Sequence, residues 1–183
     1  MEEKVLTSIN FDTLVNELKK TVFKNHLNIF DLIIDDLYTL SYNNFTCYKA
    51  NMSIIKCRKL STIDYKEISY FENMARTVGE SRVNCKSKIN KIIHNHYNSG
   101  SNVTIPENWM SDDIVYSVGE MLDRISIEFI KQNHFMKNED DNHKIEISKT
   151  WEERVKKYLR QKLDEIKKKG YYDIIDETRT YKV

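Results

Sequence analysis

The chain has 183 residues, with 29 Lys and Arg against 28 Asp and Glu, for a formal net charge of +1. That balance excludes a whole-protein field that would draw it to nucleic acid or to a membrane surface. Four glycines and one proline leave little material for tight turns, so the composition predicts an all-α fold. We expect a single domain over residues 1–183, an irregular bundle of about five to seven helices, with a lead-in at 1–10 and an irregular tail at 171–183. No apolar run approaches the roughly 18 residues of a membrane span, and Met1-Glu2-Glu3-Lys4 does not begin as a signal peptide does. Cys47, Cys57 and Cys85 form no Cys-x-x-Cys pair and read as free thiols in a reducing compartment, so the expected location is the cytoplasm.

In chain order, the first helical stripe is Phe11, Leu14, Val15, Leu18 and Val22, with Asp12 as its expected cap. Lys24-Asn25-His26 interrupts it. A dense apolar segment follows through Leu27, Phe30, Ile33, Ile34, Leu37 and Leu40. Asp31 and Asp35 share a face there, either as a solvated edge facing Lys or Arg or as a cation or base site. Ser41-Tyr42-Asn43-Asn44 reads as a loop, and residues 45–60 as a further helix. Ser61 with Asp64, or Thr62 with Glu67, then starts the longest element. Its stripe from Ile63 to Val78 reaches Gly79, where a bend or break is expected because glycine weakens a helix interior by about 1 kcal/mol. The stripe resumes from Val83 to Tyr97. Residues 98–102 are turn-rich, Pro106 extends the loop, and Trp109 is expected to anchor the core. Residues 137–143 form a polar connection. The closing helix, about 145–169, places Trp151, Val155, Tyr158, Leu159, Leu163 and Ile166 on one face. Lys167, Lys168 and Lys169 complement its dipole, and Gly170 stands where a left-handed terminating residue is needed.

The strongest local signals lie between these elements, over residues 117–135. Ser117 with Glu120 three residues later has the spacing of a capping box. Val118, Met121, Leu122, Ile125, Phe129 and Ile130 make one face apolar, so this helix is expected to be the most buried. Asp123 and His134 lie eleven residues apart, which at about 100° per residue puts them within roughly 20° of each other on that stripe.

The stretch Ser117-Val118-Gly119-Glu120-Met121-Leu122-Asp123-Arg124-Ile125-Ser126-Ile127, followed by His134, resembles a family of uncharacterised all-helical bacterial and phage proteins. Its members carry a Ser/Thr-x-Gly-x-Leu-Ile-Asp-Arg/Lys-Leu-Ser-Ile helix. Glu72-Asn73-Met74-Ala75-Arg76 is similar to that family's Glu-Asp-x-x-Arg helix, and Arg179-Thr180-Tyr181-Lys182-Val183 to the start of its Tyr-Lys-x-Tyr-Asn-Asp-Pro segment. The likeness spans residues 60–183. It departs from the family pattern at Ile93-His94-Asn95-His96, where the family has Asn-x-x-Arg. The resemblance implies an all-helical fold and no established activity.

Glu72, Arg76, Asp123, Arg124 and His134 are therefore the candidate ligand-binding residues, in a cleft expected between the long helix and the central one. Arginine forks there would suit a phosphate. Asp123 and Glu72 would be the metal ligands, for magnesium bridging phosphates. The expected function is binding of a phosphorylated small molecule, a nucleotide or nucleotide sugar, with magnesium-dependent hydrolysis as its enzymatic form. The competing structural account is an ion-pair network in which Arg76 neutralises Asp123. Glu120-Met121-Leu122-Asp123 also resembles half of the magnesium site of MazG-type all-α nucleoside triphosphate pyrophosphatases. The nearest other half, Asp64-Tyr65-Lys66-Glu67, lies farther upstream than that family's spacing. Arg82, Lys86, Lys88 and Lys91 form a basic stretch suited to an anion or an RNA backbone, while His94 and His96 point apart and suit a solvated face. The alternative function is a non-enzymatic helical module, of viral type, that docks a partner protein in a groove.

Overall fold

The computed structural model describes residues 6–60, 62–98, 117–137 and 141–172. Among them are five helices and no strand: α1 (Phe11–Thr21), α2 (Leu27–Arg58), α3 (Tyr65–Asn98), α4 (Val118–Phe135) and α5 (Asn142–Lys169). The expected all-α bundle is the fold. Pro106, Trp109 and the segment from Arg179 to Val183 lie outside the described residues.

Local chemistry explains four of the helix ends. Asn10, not Asp12, caps α1, its Oδ1 accepting the Asp12 N–H at 2.9 Å. Asp12 instead accepts the Tyr38 hydroxyl at 2.8 Å. Asp64 caps α3, because its Oδ1 accepts the N–H groups of Lys66 and Glu67 at 2.9 and 3.2 Å. The α4 cap is half of the expected box: Ser117 Oγ accepts the Glu120 N–H at 3.1 Å, while the Glu120 carboxylate turns to Lys86 and Arg124. Gly170 ends α5 at φ 74°, its N–H bonded to Ile166 O at 2.8 Å.

Two expected interruptions are absent. Residues 41–44 lie inside α2, which runs unbroken for 32 residues. Ser41 and Asn44 are buried there, and Asn44 has a partner on α4, so tertiary contacts outweigh the local turn preference. α3 likewise passes through Gly79 without a break. A Cβ at Gly79 would meet nothing within 4 Å. Gly119 is the opposite case: a Cβ there would lie 2.6 Å from the Lys86 carbonyl oxygen. The glycine of the central motif is what lets α4 start against the backbone of α3.

A single apolar cluster draws on all five helices and extends from Leu6, in the expected lead-in, to Tyr172, in the expected tail. α4 packs against α2, α3 and α5, and Met121, Leu122, Ile125 and Ile130 are buried, with Phe129 partly so. The face of α5 is corrected. Leu159, Leu163 and Ile166 are buried, but Trp151 and Tyr158 are exposed, and the buried line continues instead through Lys156, Glu152 and Ser148. A second, separate cluster of Ile54, Cys57 and Ile68, with Phe71 against it, holds the far ends of α2 and α3 together. These far ends, residues 50–60 and 62–78, are called the arm below. At 1.5 Å per residue its α3 segment is about 20 Å long.

Candidate functional site

α2 meets the two buried polar residues of α4 with two side chains one turn apart, Asn44 and Tyr48. The Asp123 carboxylate is 2% exposed as a residue and accepts Asn44 Nδ2 at 2.9 Å. It also accepts a fork from Arg82, Nη2 at 2.8 Å and Nε at 3.3 Å. Burial alone would lower the Arg82 pKa, but the hydrogen bonds and charge of Asp123 outweigh that and raise it. His134 is buried, with Nδ1 2.5 Å from the Tyr48 hydroxyl and its ring edge-on to the Tyr48 ring at 5.6 Å. Asp123 and His134 thus share a face, as their spacing predicts, and each has its own partner on α2.

The other three candidates do not join them. Glu72 is exposed and pairs with Arg58 at 3.2 Å, while Arg76 is exposed and pairs with Glu80 at 3.2 Å. The cation that neutralises Asp123 is Arg82, not Arg76. Arg76 lies six residues earlier on α3, about 9 Å along the axis and about 120° around it, so the two arginines project from different faces. The Arg124 side chain is 55% exposed, with Nε 3.5 Å from Glu120, whose other oxygen accepts Lys86 Nζ at 2.6 Å.

The basic stretch is largely consumed inside the protein. Arg82 binds Asp123, Lys86 binds Glu120, and Lys88 binds Asp36 at 2.8 Å. These pairs tie α3 to α4 and α2. Asp31 faces Lys19 at 3.6 Å, both exposed, as a solvated edge would. His96 is exposed, as expected, whereas His94 is half-buried, with Nδ1 2.7 Å from the Tyr172 carbonyl. Cys47, Cys57 and Cys85 are free thiols. Among the described residues no group of three or more His, Cys, Asp or Glu is arranged to hold a metal ion. Asp64 caps α3 in the arm and Asp123 sits in the bundle with Arg82, so the two half-motifs of the pyrophosphatase comparison occupy different parts of the fold. No described helix is long and apolar enough to cross a membrane.

Residue patterns did not single out a second polar cluster, between α1, α4 and α5. Lys156 is buried and contacts Glu17, Glu152 at 2.7 Å and Glu153 at 3.3 Å, and Gln132 donates to Glu152 at 2.5 Å. Burial would lower the Lys156 pKa, but the hydrogen bonds it donates to Glu152 and Glu17 raise it instead. An open cavity of about 250 Å³ lies beside these groups, walled also by Phe129 and Lys149. The signal was in the sequence. Stepping back three, seven and eleven residues from Leu159 along a 3.6-residue period gives Lys156, Glu152 and Ser148, a polar line on a core-facing stripe.

No protein-family model, curated protein or solved structure matches this chain.

Proposed function

We propose that this protein is a helical interaction module that docks a partner through the arm. The observation that carries this reading is the concentration of apolar surface at the arm's end. Ile55, Leu60, Ile63, Tyr65 and Tyr70 are 41–74% exposed there, over a core of three buried residues. Clustered apolar exposure of this kind marks binding surfaces, whereas single exposed apolar residues do not. Lys56 and Lys59 flank the patch, exposed and without an ion pair among the described residues. The partner that fits is therefore an apolar groove or helix with an acidic rim. To test this, a photocrosslinking residue is placed at Ile63 or Tyr70 of the full chain in the cell that produces it, with a control at Tyr158, which is as exposed on α5 as Tyr70 is in the arm. The expected result is a discrete adduct from the arm positions only, lost on Leu60→Asp with the melting temperature unchanged. Equal yields from the arm and from α5 would remove the support for this reading.

A second reading keeps one observation. Arg82, Lys86 and Arg124 line a strip beside Glu120 and Asp123, so three cations face two carboxylates where a phosphorylated small molecule would compete for Lys86 and Arg124. This is the nucleotide or nucleotide-sugar reading moved to residues 82–124, with Glu72 and Arg76 no longer in it. Thermal shift against nucleotides and nucleotide sugars, with and without magnesium, on wild type and Arg124→Gln, tests it. A ligand-dependent shift that Arg124→Gln abolishes would favour it over the docking reading.

A further inference from the structure

We propose that residues 170–172 form a clasp that opens independently of the bundle and controls the first turn of α4. After the left-handed Gly170 the chain leaves the axis of α5, and two residues later the Tyr172 side chain is buried in the main core. Its backbone is gripped by one carboxamide: the Tyr172 N–H donates to Asn98 Oδ1 at 3.0 Å, and its carbonyl accepts Asn98 Nδ2 at 2.8 Å. His94 Nδ1 lies 2.7 Å from the same carbonyl. The phenol then reaches α4. Its oxygen accepts the Val118 N–H at 3.0 Å and donates to Asn90 Oδ1 at 3.1 Å, and Asn90 Oδ1 also accepts the Gly119 N–H at 2.9 Å.

Three successive N–H groups at the start of α4 are thus satisfied from three places. Tyr172 takes Val118, Asn90 takes Gly119, and Ser117 takes Glu120. Two of these acceptors are fixed by helix α3 and by the cap itself. The third is carried by Tyr172, two residues beyond Gly170, whose backbone is held to the last turns of α3 by Asn98 and His94. Chain that has left the end of a helix can open as a sub-global unit while the bundle interior stays closed. Its release uncovers the Val118 amide and the Asn90 carboxamide together and loosens the turn that carries Glu120, the carboxylate shared by Lys86 and Arg124. The C-terminal chain is in this way coupled to the α3–α4 junction.

Hydrogen exchange on the full chain tests the clasp. Asn98→Ala cuts the backbone grip and Tyr172→Phe removes only the hydroxyl. Both should speed exchange at Val118 by about tenfold or more, while amides of 125–132 and of α2 stay within about twofold of wild type. Where Asn98→Ala fails to fold, wild type alone decides. In low denaturant, the Tyr172 and Val118 amides should exchange with a weaker denaturant dependence than Ile125. The proposal is overturned by uniform acceleration across the bundle, by an unchanged Val118 rate in Tyr172→Phe, or by equal denaturant dependence.

Discussion

The two ends of α3 differ in how they are supported. Of its six buried residues, five lie from Cys85 onward and one, Ile68, lies in the arm. From Arg82 to Asn98 the helix is locked to its neighbours by Asp123, Glu120, Asp36, Gly119 and Tyr172. From Tyr65 to Val78 its described ion pairs, to Arg58 and Glu80, are exposed. Both stretches are helical and carry four charged residues, balanced in sign over 65–78 and all basic over 82–98. They differ further in how many neighbours cover the helix, and that sets where polar groups become structurally expensive to disturb.

The largest effect that probes this contrast is Arg82→Gln, which leaves a buried carboxylate without its cation. A loss of about 3 kcal/mol is expected, at the lower end for a broken buried pair because Arg82 is partly exposed. Arg82→Gln with Asp123→Asn should recover most of it in urea unfolding. A loss equal to that of Arg76→Gln would erase the distinction between the two ends. Next come the glycines. Gly119→Ala drives a methyl group into the Lys86 carbonyl, for an expected cost of about 1–3 kcal/mol. Gly79→Ala enters open space in mid-helix and should stabilise by about 0.5–1 kcal/mol. The same denaturation curves check both signs.

The cysteines sharpen the comparison. Cys57 in the arm and Cys85 in the bundle are both buried, and burial pushes both thiol pKa values up. In a Cys47→Ser background, native-state alkylation of Cys57 should be about tenfold faster, because opening the arm costs less than opening the bundle. Equal rates would make the arm part of one cooperative unit. The smallest effect belongs to Arg76→Gln, which removes an exposed i,i+4 pair and should change stability by less than about 0.5 kcal/mol.

These differences also explain what the sequence could reveal. The cap at Ser117, the stop at Gly170 and the apolar stripe of α4 depend on neighbours a few residues away, so spacing alone located them. The same holds for Asp123 and His134 as polar residues on a buried stripe. Asn44 looked like a loop residue because its partner, Asp123, is 79 positions distant. Arg76 and Arg82 carry the same chemistry, and only the rotation of α3 against α4 decides which one reaches the carboxylate. Tyr172 sat in a tail without periodicity, and its role depends on Asn90, Asn98 and Val118 converging in space. Local rules locate helices well, but the choice among like residues is made by packing.

The unbroken course of α3 has a mechanical consequence. At 1.5 Å per residue its 34 residues make a rod of about 50 Å, with the apolar tip at one end and the Asn90–Asn98 grip on Tyr172 at the other. A tilt of about 5° at the gripped end sweeps the tip through about 4 Å, roughly the width of a methyl group. Force applied to the arm is therefore delivered, through one continuous helix, to the residues that hold Tyr172.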